Sequence, residues 1–389
     1  MSEWVILMHG DLLTKERLES VKASRSIEDT AKAWFQQIIF IPGLFHYKMA
    51  CADAFWRIWV KPKASHNDGN SLVEHVGVLR PDETGKFMSS PGFRMVHDTI
   101  HYDLVASMIN CWSVEAKKKG YGSLEDFAAS TPKWEDLVTM SENIVQLYVA
   151  SSESLSEYRD CLPERRDQCF ENQILRNRDE LLYVDMSYAM NAGDIGCVEA
   201  SMGPWIHLFK ATGKHKYATH MLHFLKDLKD RFPSELSQII RMNWLVNPTS
   251  KEMSFRGVDW LVELNNLYTK VIHAGGSSNR TIEHIIKESP LIELYCECHM
   301  AIENGFYLLH RTIQHAPPDM RKTLHHLGQK ISSTRPHEYT PGRKVKYEVP
   351  DHISVALNLL ATRSQASLLA DEDNDLPELA ADDLVSDFL

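Results

Sequence analysis

The spacing of apolar residues changes its period early in the chain. Trp4, Val5, Ile6, Leu7 and Met8 form a short run that breaks at His9-Gly10-Asp11, and Ile38-Ile39-Phe40-Ile41 form a second that breaks at Pro42-Gly43. Short apolar runs stopped by turn formers predict buried strands, and the charged stretch between them has the length of a crossover helix, so the chain opens as a βαβ-like unit. From Leu44 the period is helical: Phe45, Met49, Ala52, Trp56 and Trp59 recur at alternating spacings of four and three until Pro62 stops the pattern. Residues 61–94, rich in Gly, Ser, Asn and Pro, read as loops around a short strand near Val73–Leu79. Beyond them helical periodicity dominates, with helices predicted over 97–118, 134–149, 171–191, 198–210, 216–230, 235–245, 257–273, 281–287, 291–314, 318–331 and 351–369. The clearest stripes are Tyr217, Met221, Phe224 and Leu228, and Trp260, Leu264, Leu267 and Val271.

The expected fold class is therefore α+β and predominantly helical, a small N-terminal α/β part followed by a large helical part. The expected organisation is an α/β part over 1–125, a helical region completing the core over 126–315, a helical and basic segment over 316–370 and an acidic tail over 371–389. The chain has 389 residues, 43% of them hydrophobic, enough for a large core. Its net charge of −11 comes mostly from the tail, where Asp371, Glu372, Asp373, Asp375, Glu378, Asp382, Asp383 and Asp387 meet no basic residue. Leu376, Leu379, Leu384, Val385, Phe388 and Leu389 interleave with those acids, as in segments that recruit protein partners. Seven cysteines at irregular positions make no disulfide framework, and the start of the chain lacks the basic and apolar regions of a signal peptide, so an intracellular location, nuclear or cytoplasmic, is expected. No apolar stretch approaches the ~18–20 residues that span a bilayer.

Several groups could carry chemistry. Asp11 follows a strand directly, a position that often holds a metal-binding carboxylate and equally suits a turn. His46 opens the helix after the second strand, and if the two strands are neighbours it emerges at the same sheet edge as Asp11. Asp53 lies seven residues on, on the same helical face. Asp259, Glu263 and Asn266 recur at spacings of four and three, so two carboxylates one turn apart could share a divalent cation, although Lys270 continues the row as on an ordinary solvated face. Asp194 reads as a helix cap, with Glu171 and Asn172 opening the preceding helix in the same way. His97-Asp98-Thr99-Ile100-His101 has the two-histidine spacing of a zinc helix, with Asp where a hydrolase has Glu. Cys296-Glu297-Cys298-His299 falls in a helical pattern that sends neighbours to different sides, which favours buried cysteines over a metal site. There is no Walker A sequence, dinucleotide fingerprint or nucleophile elbow. Between Arg321 and Lys346 seven basic residues (Arg321, Lys322, Lys330, Arg335, Arg343, Lys344, Lys346) face one acid, Glu338, a composition suited to DNA or RNA phosphates and also common in solvated loops.

Over most of residues 4–315 the chain resembles a multicopy family of functionally uncharacterised fungal proteins associated with mobile-element genes. The resemblance is carried by Gly10-Asp11-Leu12-Leu13-Thr14, by Gly43 to Ala50, by Gly193-Asp194-Ile195-Gly196, by Ala211 to Ala218, by Asn243 to Thr249 and by Val258 to Glu263 with Asn266. A transposase origin implies an RNase H-like core with a carboxylate on the first strand and others from later helices. Asp11 fits the first role and Asp259 or Glu263 the last, while His46 stands where a second acid is expected. The chain departs from the family at Leu12, where Gln is usual, and at Leu264, where His is usual, which removes two polar groups from the site and points toward a copy that has lost activity. The resemblance implies a metal-dependent strand-transfer or nuclease-like protein in which Asp11, Asp259 and Glu263 hold Mg2+ or Mn2+ and His46 orients a water or a phosphate. The rival readings are a non-catalytic scaffold and a zinc hydrolase centred on His97 and His101.

Overall fold

The computed structural model describes residues 4–264, 281–307 and 318–362. The acidic tail, Asn266, Lys270 and the continuation of the Trp260 stripe at Leu267 and Val271 lie outside them. The described residues are mostly helical, with two small sheets of two strands each. They fall into two compact units, one from residues 4–47, 227–264, 281–307 and 318, the other from 48–226 and 319–362.

In the first unit β1 (Ile6–Gly10) pairs in parallel with β2 (Ile38–Pro42), in the register Ile6 to Ile38 through Gly10 to Pro42, and α1 (Leu12–Ser24) is the crossover between them. The βαβ opening is thus present. The Lys22 ammonium donates to the Ile38 carbonyl at 2.6 Å, tying the last turn of α1 to the start of β2. Helix α2 (Leu44–Trp59) follows β2 after a single glycine, and the unit boundary falls inside it, after Tyr47. Later come α12 (Ser234–Met242), the short antiparallel pair β3 (Leu245–Val246) and β4 (Arg256–Gly257), α13 (described over 258–264), α14 (Ile282–Glu288) and α15 (Leu291–Gly305).

The second unit is helical. It contains α3 (Leu72–Leu79), α4 (Thr84–Ser89), α5 (Phe93–Lys118), α6 (Leu124–Ala129), α7 (Trp134–Tyr148), α8 (Ser152–Arg159), α9 (Gln168–Ala192), α10 (Ile195–Ala211), α11 (His215–Lys226), α16 (Arg321–Thr334) and α17 (His352–Thr362). The expected strand near Val73–Leu79 is α3. Ser71 caps it by accepting from the Glu74 N–H, and Leu72, Val73, Val76 and Leu79 give the one-sided burial of a helix. Leu79 packs with Ala106 of α5 and with Leu327 and Ile331 of α16. Gly193 takes a left-handed φ of +79° that ends α9, and Asp194 caps α10 through the Cys197 N–H, so the Gly-Asp pair makes the turn of a helical hairpin. Helix α9 starts earlier than expected because its cap is Asp167, which accepts from the Cys169 and Phe170 N–H groups.

The segment between α16 and α17 straps onto α9 by polar bonds. Arg343 grips Asp167 with Nε and an η nitrogen at 2.8 and 2.6 Å, Asn172 accepts from Val349 N–H and donates to the Tyr347 carbonyl, and Arg178 pairs with Asp351 at 2.9 Å. Beneath it Ser107, Asn110, Gln173, Asn177 and His337 form a buried seam of amides, hydroxyl and imidazole.

Candidate functional site

Where β1 and β2 end, two helix N-termini begin. Asp11 caps α1, its Oδ1 accepting from the Thr14 N–H at 2.7 Å. At α2 the cap position is Gly43, which has no side chain to offer, and the helix recruits its cap from α13. Asp259 Oδ1 accepts from the Phe45 N–H and Oδ2 from the His46 N–H, each at 3.0 Å. The carboxylate is 1% exposed, so it answers two N-terminal donors and the positive end of the helix dipole away from water. Two glycines make room for it: a Cβ on Gly43 would lie 2.3 Å from Oδ2, and one on Gly257 would lie 2.5 Å from Oδ1. Trp244, wholly buried, donates from its indole to the Pro42 carbonyl at 2.8 Å and fixes the chain just before β3 against the end of β2.

His46 lies in the same corner. Its Nδ1 is 2.9 Å from Asp259 Oδ2, and its Nε2 is 3.7 Å from Glu263 Oε1. The i,i+4 spacing of Asp259 and Glu263, one turn of α13, thus sets a carboxylate beside each imidazole nitrogen. Burial opposes a charge on His46, but the hydrogen bond to Asp259 and the negative charges of Asp259, Glu263 and Asp11 outweigh it and raise its pKa above the ordinary value. Asp11 is therefore within electrostatic range of the imidazole. His9, two residues before Asp11 on β1, belongs to the same corner and was missed in the sequence reading. Its Nδ1 is buried without a hydrogen-bond partner, and burial lowers its pKa against the pull of Asp259. The period-2 alternation of a strand, which puts residues 9 and 11 on one face, was the available signal.

Asp259 is used more heavily than its spacing implied: both of its oxygens accept hydrogen bonds from the start of α2. Among the described residues no three His, Cys, Asp or Glu side chains stand at metal-binding spacing. What converges is an Asp-His-Glu row with Asp11 and His9 beside it.

The other sequence candidates lie elsewhere. Asp53 is buried in a triad, accepting from Arg57 at 2.9 Å and Lys214 at 2.8 Å. His97 and His101 do pair, with ring centroids 4.4 Å apart, and His97 Nδ1 meets the Tyr183 hydroxyl at 2.8 Å. Burial, helped by the charge of Lys48, holds the His101 pKa at about 4 and His97 well below the ordinary value. Glu171 is buried and gripped by Arg166. Cys298 is exposed and Cys296 half-buried, contrary to the expectation of buried cysteines, because α15 buries only Ile292 fully. In the basic segment Arg321 pairs with Asp319, Lys330 with Glu74 and Arg343 with Asp167, so part of its charge is already neutralised. No helix among the described residues is long and apolar enough to cross a membrane.

No curated protein and no solved structure matches the chain. One family model does, over residues 1–315, a span that takes in the βαβ opening and α13. The chain belongs to that family, described as a family of unknown function (DUF6589).

Proposed function

We propose that the edge of the β1–β2 pair is a divalent-cation centre for phosphodiester chemistry on DNA or RNA, inherited from a mobile-element transposase with an RNase H-like core. The observation that carries this reading is the posture of His46. A carboxylate on Nδ1 fixes the orientation of the ring and, in the neutral imidazole, leaves Nε2 as the lone-pair nitrogen, the arrangement of metal-ligating histidines. Nε2 faces Glu263, with Asp11 in electrostatic range, so the donor set that an ion would have to draw together is two carboxylates and one imidazole, chemistry that suits Mn2+ and tolerates Mg2+. In this assignment Asp11, Glu263 and Nε2 of His46 hold the ion, and Asp259 holds His46. A bound ion would polarise a phosphoryl oxygen and lower the pKa of a water. The residues of the chain themselves orient the imidazole, keep it from rotating and place negative charge at the strand ends, where ligands of parallel sheets gather. Leu12 and Leu264, apolar where the resembling proteins carry Gln and His, make turnover the weaker function and ion binding the stronger. The protein is assigned an intracellular location, nuclear or cytoplasmic, with 321–346 as the nucleic-acid contact and 371–389 as a recruiting segment for a protein partner.

The test is a calorimetric titration of the full chain with Mn2+, alongside Asp11→Asn and Glu263→Gln and a cleavage assay on supercoiled DNA. Saturable binding by the wild type, weakened at least about tenfold in both variants with melting unchanged, supports the reading. No Mn2+ binding by the wild type, or equal binding by all three, overturns it. The saturation of both Asp259 oxygens favours a second reading, in which the corner only builds the start of α2 and the protein is a scaffold. Asp11→Asn and Glu263→Gln would then leave every binding property intact.

A further inference from the structure

The second unit holds a pocket of about 240 Å³ that no part of the proposed centre uses. Its lining includes Trp59, Gln173 and Arg176 and the strap residues Lys344, Val345 and Tyr347. Nearly all the polar groups around it are already committed to one another. Asn70 donates to Gln173 Oε1 at 2.7 Å, Asn172 holds Tyr347 and Val349 of the strap, Asp68 accepts from the Lys346 and Tyr347 N–H groups, and Arg343 is spent on Asp167.

Two cationic donors remain. Arg176 is 2% exposed, and of its five N–H groups one η nitrogen bonds the Asn70 carbonyl while the other bonds Gln173 Oε1 and approaches His75 Nδ1 at 3.4 Å. Its Nε is buried without a hydrogen-bond partner, 3.3 Å from Asp103 Oδ2, and its first η nitrogen keeps one N–H in reserve. Lys344, an exposed residue, also lines the pocket. Behind Arg176, Asp103 is held ionised by His75 and Arg176 despite its burial, while Glu180, buried beside it, is pushed toward its neutral form. The guanidinium is therefore held from behind by Asp103 and at its sides by the Asn70 carbonyl and Gln173, and it lines the pocket as a buried positive charge. Among the charged lining residues Arg176, Arg343 and Lys344 face one carboxylate, Asp68, whose oxygens already accept from the strap N–H groups, and the apolar part of the lining is the Trp59 ring, with Arg176 6.0 Å from its centroid, together with Leu72, Val345 and Tyr347.

We propose that this pocket binds a small organic anion, an apolar and preferably planar body carrying one carboxylate or phosphate, with the body against Trp59 and Tyr347 and the anionic group between Arg176 and Lys344. The volume falls below the ~300–1,000 Å³ of pockets for drug-sized ligands, which limits the ligand to a metabolite of roughly ten non-hydrogen atoms.

The experiment titrates the full chain by calorimetry with phenylacetate, phenyl phosphate and the neutral phenylacetamide. At least one of the two anions should saturate a single site with a Kd on the order of a millimolar or tighter, the range open to so small a ligand, and the amide should bind about tenfold or more weakly. Which anion binds better identifies the head group. Lys344→Gln, at an exposed position, should weaken the anion about tenfold without changing the melting temperature, and Val345→Trp, which fills the pocket, should abolish binding. No saturable binding of either anion, an amide as tight as the anions, or binding untouched by both Lys344→Gln and Val345→Trp overturns the proposal.

Discussion

Replacing Asp259 separates the architectural use of the corner from its chemistry. Three donors depend on that carboxylate: the Phe45 and His46 N–H groups at 3.0 Å and His46 Nδ1 at 2.9 Å. Asp259→Ala leaves all three without the acceptor at a position only 1% exposed. A buried donor stripped of its partner costs about 1–3 kcal/mol, and removing one member of a buried charged pair costs about 3–5 kcal/mol in total, so Asp259→Ala should destabilise the first unit by about 3–5 kcal/mol. Asp259→Asn is the sharper probe. An ordinary N-cap tolerates Asn because it uses one oxygen, whereas here both oxygens accept, and an amide can satisfy only one side while turning its NH2 toward the donors on the other. The expected cost is about 1–3 kcal/mol. The assay is hydrogen exchange at the amides of Phe45 and His46, which reads this corner rather than the unfolding of the whole chain. A loss of about 2 kcal/mol speeds exchange there roughly thirtyfold. Unchanged exchange at both amides in Asp259→Asn would refute the cap, and with it the argument that Asp259 positions His46.

Gly43→Ala should destabilise the same corner by about 1–3 kcal/mol in urea unfolding, because its Cβ would sit 2.3 Å from Oδ2, 2.5 Å from Cγ and 2.8 Å from Cβ of Asp259, too close for rotation of the carboxylate alone to relieve. Arg343→Ala should free the strap between α16 and α17, leaving Asp167 buried with less positive charge, and limited proteolysis should cut within 336–350 faster than in the wild type; equal cutting would show that the strap is held without the pair. His337, buried between Asn110, Ser107 and Asn177, has its pKa lowered to about 3 by burial and by the charge of Arg176. Its folded-state pKa lies below the unfolded value near 6.5, so the unfolded chain binds the extra proton and stability falls as pH drops from about 6.5 toward 3, by at most about 1.4 kcal/mol per pH unit from this group. His337→Gln should flatten that part of a stability-against-pH curve measured by urea unfolding, and an unaltered slope would show that other groups set it.

The parts of the fold that were legible in the sequence are those written in local periodicity. The two apolar runs with a charged stretch between them are a parallel pair joined by a helix, and the stripes from Trp134 to Ala211 are helices within a few residues of their expected ends. Val73–Leu79 misled because four β-branched or aliphatic residues suit a strand as well as a helix, and only the capping serine before them broke the tie. At the candidate site His46 and the carboxylate pair were legible as residue types on helices, but the role of Asp259 was not, since a cap borrowed from a distant helix leaves no local signal beyond the bare Gly43 that needs it. His9 was passed over because one imidazole in an apolar run reads as part of the strand. The strap was read as a basic patch because its arginines find their carboxylates far away in sequence, Arg343 on Asp167 above all.

Four of the stretches that carry the family resemblance also meet in space, while Gly193 to Gly196 and Ala211 to Ala218 belong to the second unit. Gly10-Asp11 ends β1, Gly43 to Ala50 opens α2, Asn243 to Thr249 places Trp244 against Pro42, and Val258 to Glu263 delivers Asp259 to that same helix end. Much of this convergence is explained by packing: the glycines clear space, Trp244 seals the joint, and Asp259 caps the helix. Structural need does not extend equally to every residue there. The Asp11 cap uses one oxygen, Nε2 of His46 stands 3.7 Å from Glu263, and Glu263 is not required by the cap. A corner built only to start a helix gains nothing from a carboxylate beside the outer nitrogen of a buried imidazole, whose charge it helps to retain against burial. The residues left over once the architecture is accounted for, Asp11, His46 Nε2 and Glu263, are therefore where chemistry should be sought, with His9 and its unpartnered Nδ1 beside them.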